Sequence, residues 1–151
     1  MIIKGKLASS NDPSSNNGKI YSPESLCNMI KEFDEKKYFM VGELGGGDSS
    51  VVSLSSITHQ MTSVYTKNAK MPRKKKKKLK KLGLYSDWVY KNNSLFGIAR
   101  ILNTPEGNMI KRNVNSGDMA FVPRGSGKLA NGVVEDFELI TFDIVPKNIK
   151  L

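Results

Sequence analysis

The sequence has one cysteine, one histidine and no long apolar run, and each shortage excludes a class of structure or site. Cys27 alone cannot form an internal disulfide or a cysteine-based zinc site. His59, as the only histidine, excludes a His-rich metal site. No stretch of about 18 apolar residues occurs, which predicts no membrane-spanning helix, and the N-terminus lacks the apolar region of a secretory signal. We therefore expect no metal or other cofactor, and a protein that works inside a reducing cell or in a particle assembled there.

Acidic residues are few relative to basic ones, with 14 against 24, and the excess lies in one short segment. Without that segment the formal net charge of +10 would fall to +2. A dense block of like charges repels itself, which predicts an exposed insertion loop or hairpin tip at about 67–84. The eight cations of this basic segment are Arg73, Lys74, Lys75, Lys76, Lys77, Lys78, Lys80 and Lys81.

Such a segment is typical of a surface that binds a polyanion through charge alone, either DNA or an acidic scaffold or capsid protein. The neighbouring Tyr85 and Trp88 are better explained as core residues than as base-stacking residues, so no sequence-specific readout is expected. The plainer alternatives are a solvated loop without a partner and a nuclear localisation signal. We favour a polyanion or an acidic protein as the partner.

The rest of the chain has the pattern of a β-rich α+β domain that spans residues 1–151. Ser22, Pro23 and Glu24 have the chemistry of a helix start. Apolar residues then recur at i, i+3, i+4 and i+7, which predicts an amphipathic helix at 23–37. A second start at residues 104–106 predicts a short helix that ends near Gly117.

Strands are predicted where apolar residues alternate or form short runs. An extended turn is expected at 128–134, between the last two of these strands. The predicted strands are residues 1–7, 38–44, 57–65, 88–90, 95–102, 121–122 and 137–145.

Residues 117–127 have the composition of an active-site segment. Small and apolar residues lead into Arg-Gly-Ser-Gly, but no nucleophile stands at the centre. The segment therefore suggests a catalytic fold from which catalysis has been removed.

Six short motifs, in the same order along the chain, resemble those of the prohead (head maturation) proteases of tailed phages, of the T4 type. The longest is residues 97–107, Gly-Ile-Ala-Arg-Ile-Leu-Asn-Thr-Pro-Glu-Gly, which is similar to the family's Gly-x-Ala-x-hydrophobic-Leu-x-Thr-Pro-x-Gly. The other five are Asn-Gly-Lys-Ile-Tyr at 17–21, Gly-Glu-Leu at 42–44, Ile-Thr-His-Gln at 57–60, Arg-Gly-Ser-Gly at 124–127 and Phe-Asp-Ile-Val-Pro at 142–146.

This resemblance implies a fold similar to herpesvirus assemblin, a β-barrel with flanking helices. It also implies a place in a phage prohead or virion assembled in the host cytoplasm, with capsid or scaffold proteins as partners. The basic segment falls between two strands as an insertion relative to the family.

The departures from the family lie at its catalytic positions. The family's histidine base stands two residues after Gly-Glu-Leu, where this chain has Gly46. Its nucleophilic serine stands two residues before the arginine, where this chain has Val122, with Pro123 beside it. Only the acid-type position is retained, as Asp143. Glycine cannot accept a proton and valine cannot attack a carbonyl, so the chemistry of a serine protease is lost.

In one alternative, the chain is an active enzyme. His59, Ser126 and Asp143 supply all three residue types and could form a relocated triad. Against it, each residue has an ordinary structural explanation, and triad chemistry tolerates little misplacement. We therefore predict a catalytically inactive relative that serves as a structural or assembly protein of a capsid. The alternative is a divergent serine protease that cleaves scaffold and capsid proteins.

Overall fold

The computed structural model describes residues 1–11, 18–36, 39–45, 52, 56–66, 74, 77–78, 81–82, 94–113 and 115–146. The continuously described stretches contain seven strands and two α-helices. The strands are β1 (Ile2–Ser9), β2 (Ile20–Tyr21), β3 (Val41–Glu43), β4 (Ile57–Thr66), β5 (Ser94–Ile101), β6 (Met119–Ala130) and β7 (Val133–Pro146). The helices are α1 (Pro23–Lys36) and α2 (Pro105–Asn113), and a short 3-10 helix follows at Ser116–Asp118.

The strands form two sheets. Sheet A has the order β1-β5-β4-β3 and is antiparallel throughout. Sheet B has the order β2-β7-β6, with β2 parallel to β7. The predicted α+β class is confirmed, but the expected barrel is wrong, because the two sheets are not closed on each other within the described residues.

Helix α1 begins as its sequence predicts. The Ser22 hydroxyl accepts a hydrogen bond from the backbone N–H of Ser25 (3.1 Å), which satisfies one of the free donors of the first turn. The helix packs against β7, and its apolar stripe of Leu26, Met29, Ile30 and Phe33 is buried. These side chains meet the buried aliphatic and aromatic side chains of both sheets in a single core.

The start of α2 is tied to β4 by Thr104. Its hydroxyl accepts from the N–H of Gly107 (3.0 Å) and donates to the carbonyl of Ile57 (2.6 Å). Gly107 lies against the carbonyl of Leu102 so closely that a Cβ would not fit. The Thr-Pro-x-Gly pattern is therefore a helix start that also joins two elements.

Among the predicted segments, two are corrected by the structure and one lies outside the described residues. The strand predicted at 38–44 is only Val41–Glu43, because Phe39 belongs to the turn after α1 and is exposed. The broad turn predicted at 128–134 is a two-residue turn at Asn131 and Gly132, both with positive φ, between long strands. The strand predicted at 88–90 lies outside the described residues.

Candidate functional site

Two positions of the site, Gly46 and Val122, are predicted to have lost their catalytic residues. Gly46 lies outside the described residues. Val122 lies in β6, directly opposite Asp143 of β7, and is half-buried. Asp143, the acid that the resemblance predicts to be retained, is therefore a cross-strand neighbour of the position predicted for the family's nucleophile.

Asp143 is fully buried and its carboxylate is occupied by structural partners. The Arg124 guanidinium donates to both oxygens, from Nε to Oδ2 (2.7 Å) and from Nη2 to Oδ1 (3.0 Å). The backbone N–H of Glu43 also donates to Oδ1 (3.0 Å). Such bidentate hydrogen bonding is the strongest arrangement of an arginine–carboxylate pair.

Glu43 extends the pair into a buried ion cluster of Glu43, Arg124 and Asp143. Arg124 Nη2 donates to Glu43 Oε2 (2.6 Å), and the hydroxyl of Ser56 donates to the other oxygen. The side chain of Arg124 is 2% exposed, against 17% for Glu43. Burial alone would lower the pKa of Arg124, but its hydrogen bonds to Asp143 and Glu43 outweigh burial and raise it. The Arg124 guanidinium therefore stays protonated in the cluster.

The cluster joins the two sheets at the free edge of β3. The hydroxyl of Thr141 donates to the carbonyl of Val41 (2.8 Å), and Asp143 accepts from Glu43 one pleat further along. Among the described residues, side chains of β7 thus bond the edge of β3 that no strand of sheet A pairs with. Just after β3, the backbones of the two sheets are bonded directly: the N–H of Gly45 donates to the carbonyl of Ile144 (2.9 Å). We conclude that Asp143 acts in this structure as an inter-sheet anchor.

His59 lies on β4 and is fully buried beside this anchor. Its Nε2 is 2.7 Å from the carbonyl of Phe142, and its Nδ1 is 2.7 Å from the hydroxyl of Thr58. Burial lowers the pKa of His59 to about 4, although the Phe142 carbonyl and the Asp143 charge oppose that change. The ring is therefore neutral near pH 7. Because a carbonyl only accepts, Nε2–H donates to Phe142, and Nδ1 accepts from Thr58.

The structure does not bring Ser126 to His59. Ser126 is exposed on β6 opposite Glu138, whereas the carbonyl that His59 contacts belongs to Phe142, opposite Pro123. At about 3.3 Å per residue, these positions are roughly 10 Å apart along the hairpin. A nucleophile and its base need to be about 3 Å apart. Of the alternative triad, His59 and Asp143 are neighbours and Ser126 is not.

The described lysines of the basic segment differ from the predicted loop. Lys74, Lys77, Lys78 and Lys81 have helical backbone and are exposed. The N–H of Leu82 donates to the carbonyl of Lys78 (3.1 Å), which is the spacing of an α-helical bond. Arg73, Lys75, Lys76 and Lys80 lie outside the described residues. The binding role of all eight cations of the basic segment stays a prediction.

Sequence reasoning missed the ion cluster as an interacting set. Two of its members, Arg124 and Asp143, stand in otherwise apolar strand segments. Ionised side chains are almost never fully buried unless they are paired. That pattern could have predicted a buried pair between the last two strands, although it could not have identified Glu43 as the third member.

The described part of the chain contains no group of three or more His, Cys, Asp or Glu side chains placed to hold a metal ion. No helix in that part is both long enough and apolar enough to cross a membrane.

Comparison with known proteins gives one informative result. No family model and no curated protein matches the chain. Among solved structures, the fold matches the capsid assembly protease of bacteriophage T4, gp21, with a TM-score of 0.67 and 20% sequence identity. The match covers 95% of this chain and 80% of the T4 chain. The chain therefore has a prohead-protease-like fold.

Proposed function

We propose that this chain is a prohead-protease relative that has lost catalysis and serves as a structural or assembly component of a phage capsid. One observation carries the proposal. The motif residues shared with the family, Glu43, Arg124 and Asp143, form a buried cluster that joins the two sheets. The two positions without catalytic chemistry are Gly46 and Val122. The residues that join the two sheets have been kept, whereas the residues that would react with a substrate are absent.

The T4 protein of the same fold is a capsid assembly protease. By that analogy, the partners of this chain are capsid or scaffold proteins, and its place is the phage prohead. The exposed lysines of the basic segment add a contact with DNA or with an acidic capsid or scaffold surface. This contact is independent of the degenerate site, because the segment lies between β4 and β5.

Quantitative mass spectrometry of purified mature particles tests the structural role. We expect this chain at a fixed number of copies per particle, comparable with other capsid components, and uncleaved. A chain that is absent from particles, or present only as internal fragments, would contradict a lasting structural role. A capsid protein of known copy number in the same sample provides the internal standard.

A further inference from the structure

The charged residues that β1, β4 and β5 contribute to the outer face of sheet A, the face turned away from the core, are all cations. Its three long strands, β1, β4 and β5, contain no Asp or Glu, but they contain Lys4, Lys6 and Arg100. In β5 the inward residues are buried, and the alternate residues are half-buried or exposed. Glu43 of β3 is the acidic residue among the strands of this sheet, and it is bonded to Arg124.

The strand register places these cations in successive rows. Lys6 lies opposite Phe96, Lys4 lies opposite Ile98, and Arg100 lies opposite both Ile2 and Gln60. Successive rows are two residues apart along β5, which is about 7 Å. Gln60 accepts a hydrogen bond from Arg100 Nη2 (2.7 Å) on this exposed face. Each row of residues paired across the strands thus contributes one cation, and the three rows follow one another along the strand direction.

The row of paired residues that contains Lys6 also contains two aromatic side chains. Tyr65 lies opposite Phe96 in the register, so both rings are on the outer face. The rings are stacked, with centroids 6.1 Å apart and an interplanar angle of 27°. Both residues are half-buried, so part of this apolar surface remains in contact with solvent. Aromatic rings beside cations on a sheet are the combination on which unpaired bases stack.

The basic segment leaves the sheet at the same end. β4 ends at Thr66, one residue after Tyr65, and β5 begins at Ser94, two residues before Phe96. The connection between them, residues 67–93, contains the eight cations between 73 and 81. The charged segment and the charged face are therefore attached to each other through the ends of these two strands.

We propose that the outer face of sheet A is a binding surface for single-stranded nucleic acid. The amino and guanidinium groups of Lys4, Lys6 and Arg100 contact phosphates, and the Tyr65–Phe96 pair stacks against a base. An acidic polypeptide would match the charge, but it has no flat ring for the aromatic pair, which favours nucleic acid. The proposal extends the polyanion contact of the basic segment to a second, separately testable surface.

Fluorescence anisotropy with a labelled oligothymidylate, measured over a series of salt concentrations, tests the charge contribution. The variant Lys4→Gln/Lys6→Gln/Arg100→Gln should reduce the slope of log affinity against log salt by about 2, because each lost phosphate contact contributes about 0.7. The control Lys31→Gln/Lys36→Gln/Lys128→Gln removes the same charge from α1 and β6. It should keep both the slope and the affinity within about twofold.

The aromatic contribution is tested at Tyr65. Tyr65→Leu keeps an apolar side chain but removes the ring, and should weaken binding by about tenfold. Tyr65→Phe keeps the ring and should bind as the wild type does. Thermal unfolding of each variant checks that the fold is retained. Duplex DNA should bind more weakly than the oligothymidylate.

Several results would overturn the proposal. If Lys4→Gln/Lys6→Gln/Arg100→Gln binds with wild-type affinity and salt dependence, the outer face of sheet A does not bind the oligonucleotide. Charge alone is responsible if Tyr65→Leu is unaffected and duplex DNA binds equally well. An acidic protein is the better partner if polyglutamate displaces the oligonucleotide at lower concentration than unlabelled oligothymidylate does. The variant Lys74→Gln/Lys77→Gln/Lys78→Gln/Lys81→Gln separates the two surfaces: if it alone abolishes binding, the segment binds and the face does not.

Discussion

Gly42 and His59 fit against each other so closely that neither can be changed freely. A Cβ on Gly42 would lie 2.6 Å from the Nε2 of His59 and would also collide with the carbonyl of Phe142. The imidazole fills the space that a side chain at 42 would need, and its ring nitrogens bond to Thr58 and Phe142. These contacts give His59 a complete structural explanation that requires no catalytic role.

The lowered pKa of His59 predicts a pH dependence of stability. In the unfolded chain the imidazole takes up a proton near pH 6.5, but in the folded chain only near pH 4. The unfolded state therefore binds more protons between these values, and the free energy of unfolding decreases as the pH falls from about 6.5 to about 4. The full loss is about 3 kcal/mol.

Chemical denaturation at several pH values measures this decrease. The variant His59→Gln keeps polar groups near both partners but does not titrate, so its stability should fall less over the same range. Titrating groups that do not interact with His59 contribute similarly to both proteins, so the difference between the two pH dependences reports mainly on His59. Identical pH dependences would show that His59 does not control stability in acid.

Arg124 is the residue on which the ion cluster depends. Arg124→Met leaves the Asp143 carboxylate buried without its cation, and should reduce the free energy of unfolding by about 3–5 kcal/mol. The double variant Arg124→Met/Asp143→Leu removes both charges and should be less destabilised than the sum of the single variants. Urea denaturation of the four proteins measures the coupling. Simple additivity would contradict a cooperative buried pair.

At the scale of elements, β3 is a short strand that is stabilised by side chains of β7. Thr141 is buried and donates to the carbonyl of Val41 (2.8 Å). Thr141→Val removes the donor at nearly constant volume and leaves a carbonyl without its partner, at a cost of about 1–3 kcal/mol. Thr62→Val is the matched control, because the Thr62 hydroxyl donates to the carbonyl of Ile98 from an exposed position. Its stability should change by less than about 0.5 kcal/mol. Equal effects in the two variants would contradict the anchoring role of Thr141.

The predicted elements succeeded where local chemistry determines the structure. Helix α1 has a hydroxyl cap and an apolar stripe within one short segment, and the structure confirms it at Pro23–Lys36. The predicted turn at 128–134 was too long, because Asn131 and Gly132 alone adopt the positive φ values that reverse the chain. Tight Asn-Gly turns are a known hairpin signal, and the polar, glycine-containing end of β6 before this one concealed it.

The ion cluster could not be predicted from local patterns. Glu43 and Arg124 are 81 positions apart in the sequence, and their contact depends on how sheet A meets sheet B. The same is true of the contact between His59 and the carbonyl of Phe142, across 83 positions. Such contacts follow from the topology of the whole fold, whereas a single sequence reveals only spacing along the chain.

At the scale of the whole molecule, the proposed loss of catalysis concerns the reacting groups and leaves the frame of the fold in place. Asp143 accepts from Arg124 and Glu43, His59 is neutral and buried, and Ser126 is exposed on a distant part of the hairpin. The expected barrel is not formed, and among the described residues the two sheets are joined by the core, by the ion cluster and by the backbone bond from Gly45 to Ile144. This arrangement fits a protein that is selected for shape and contacts.

Reaction with a fluorophosphonate probe, followed by intact-mass measurement, tests the loss of catalysis most directly. The probe modifies a serine only where a neighbouring base activates the hydroxyl. We predict that the purified protein keeps its unmodified mass, as does Ser126→Ala, which removes only an exposed hydroxyl. A single adduct that maps to Ser126 and disappears in Ser126→Ala would contradict the account and establish an active serine enzyme.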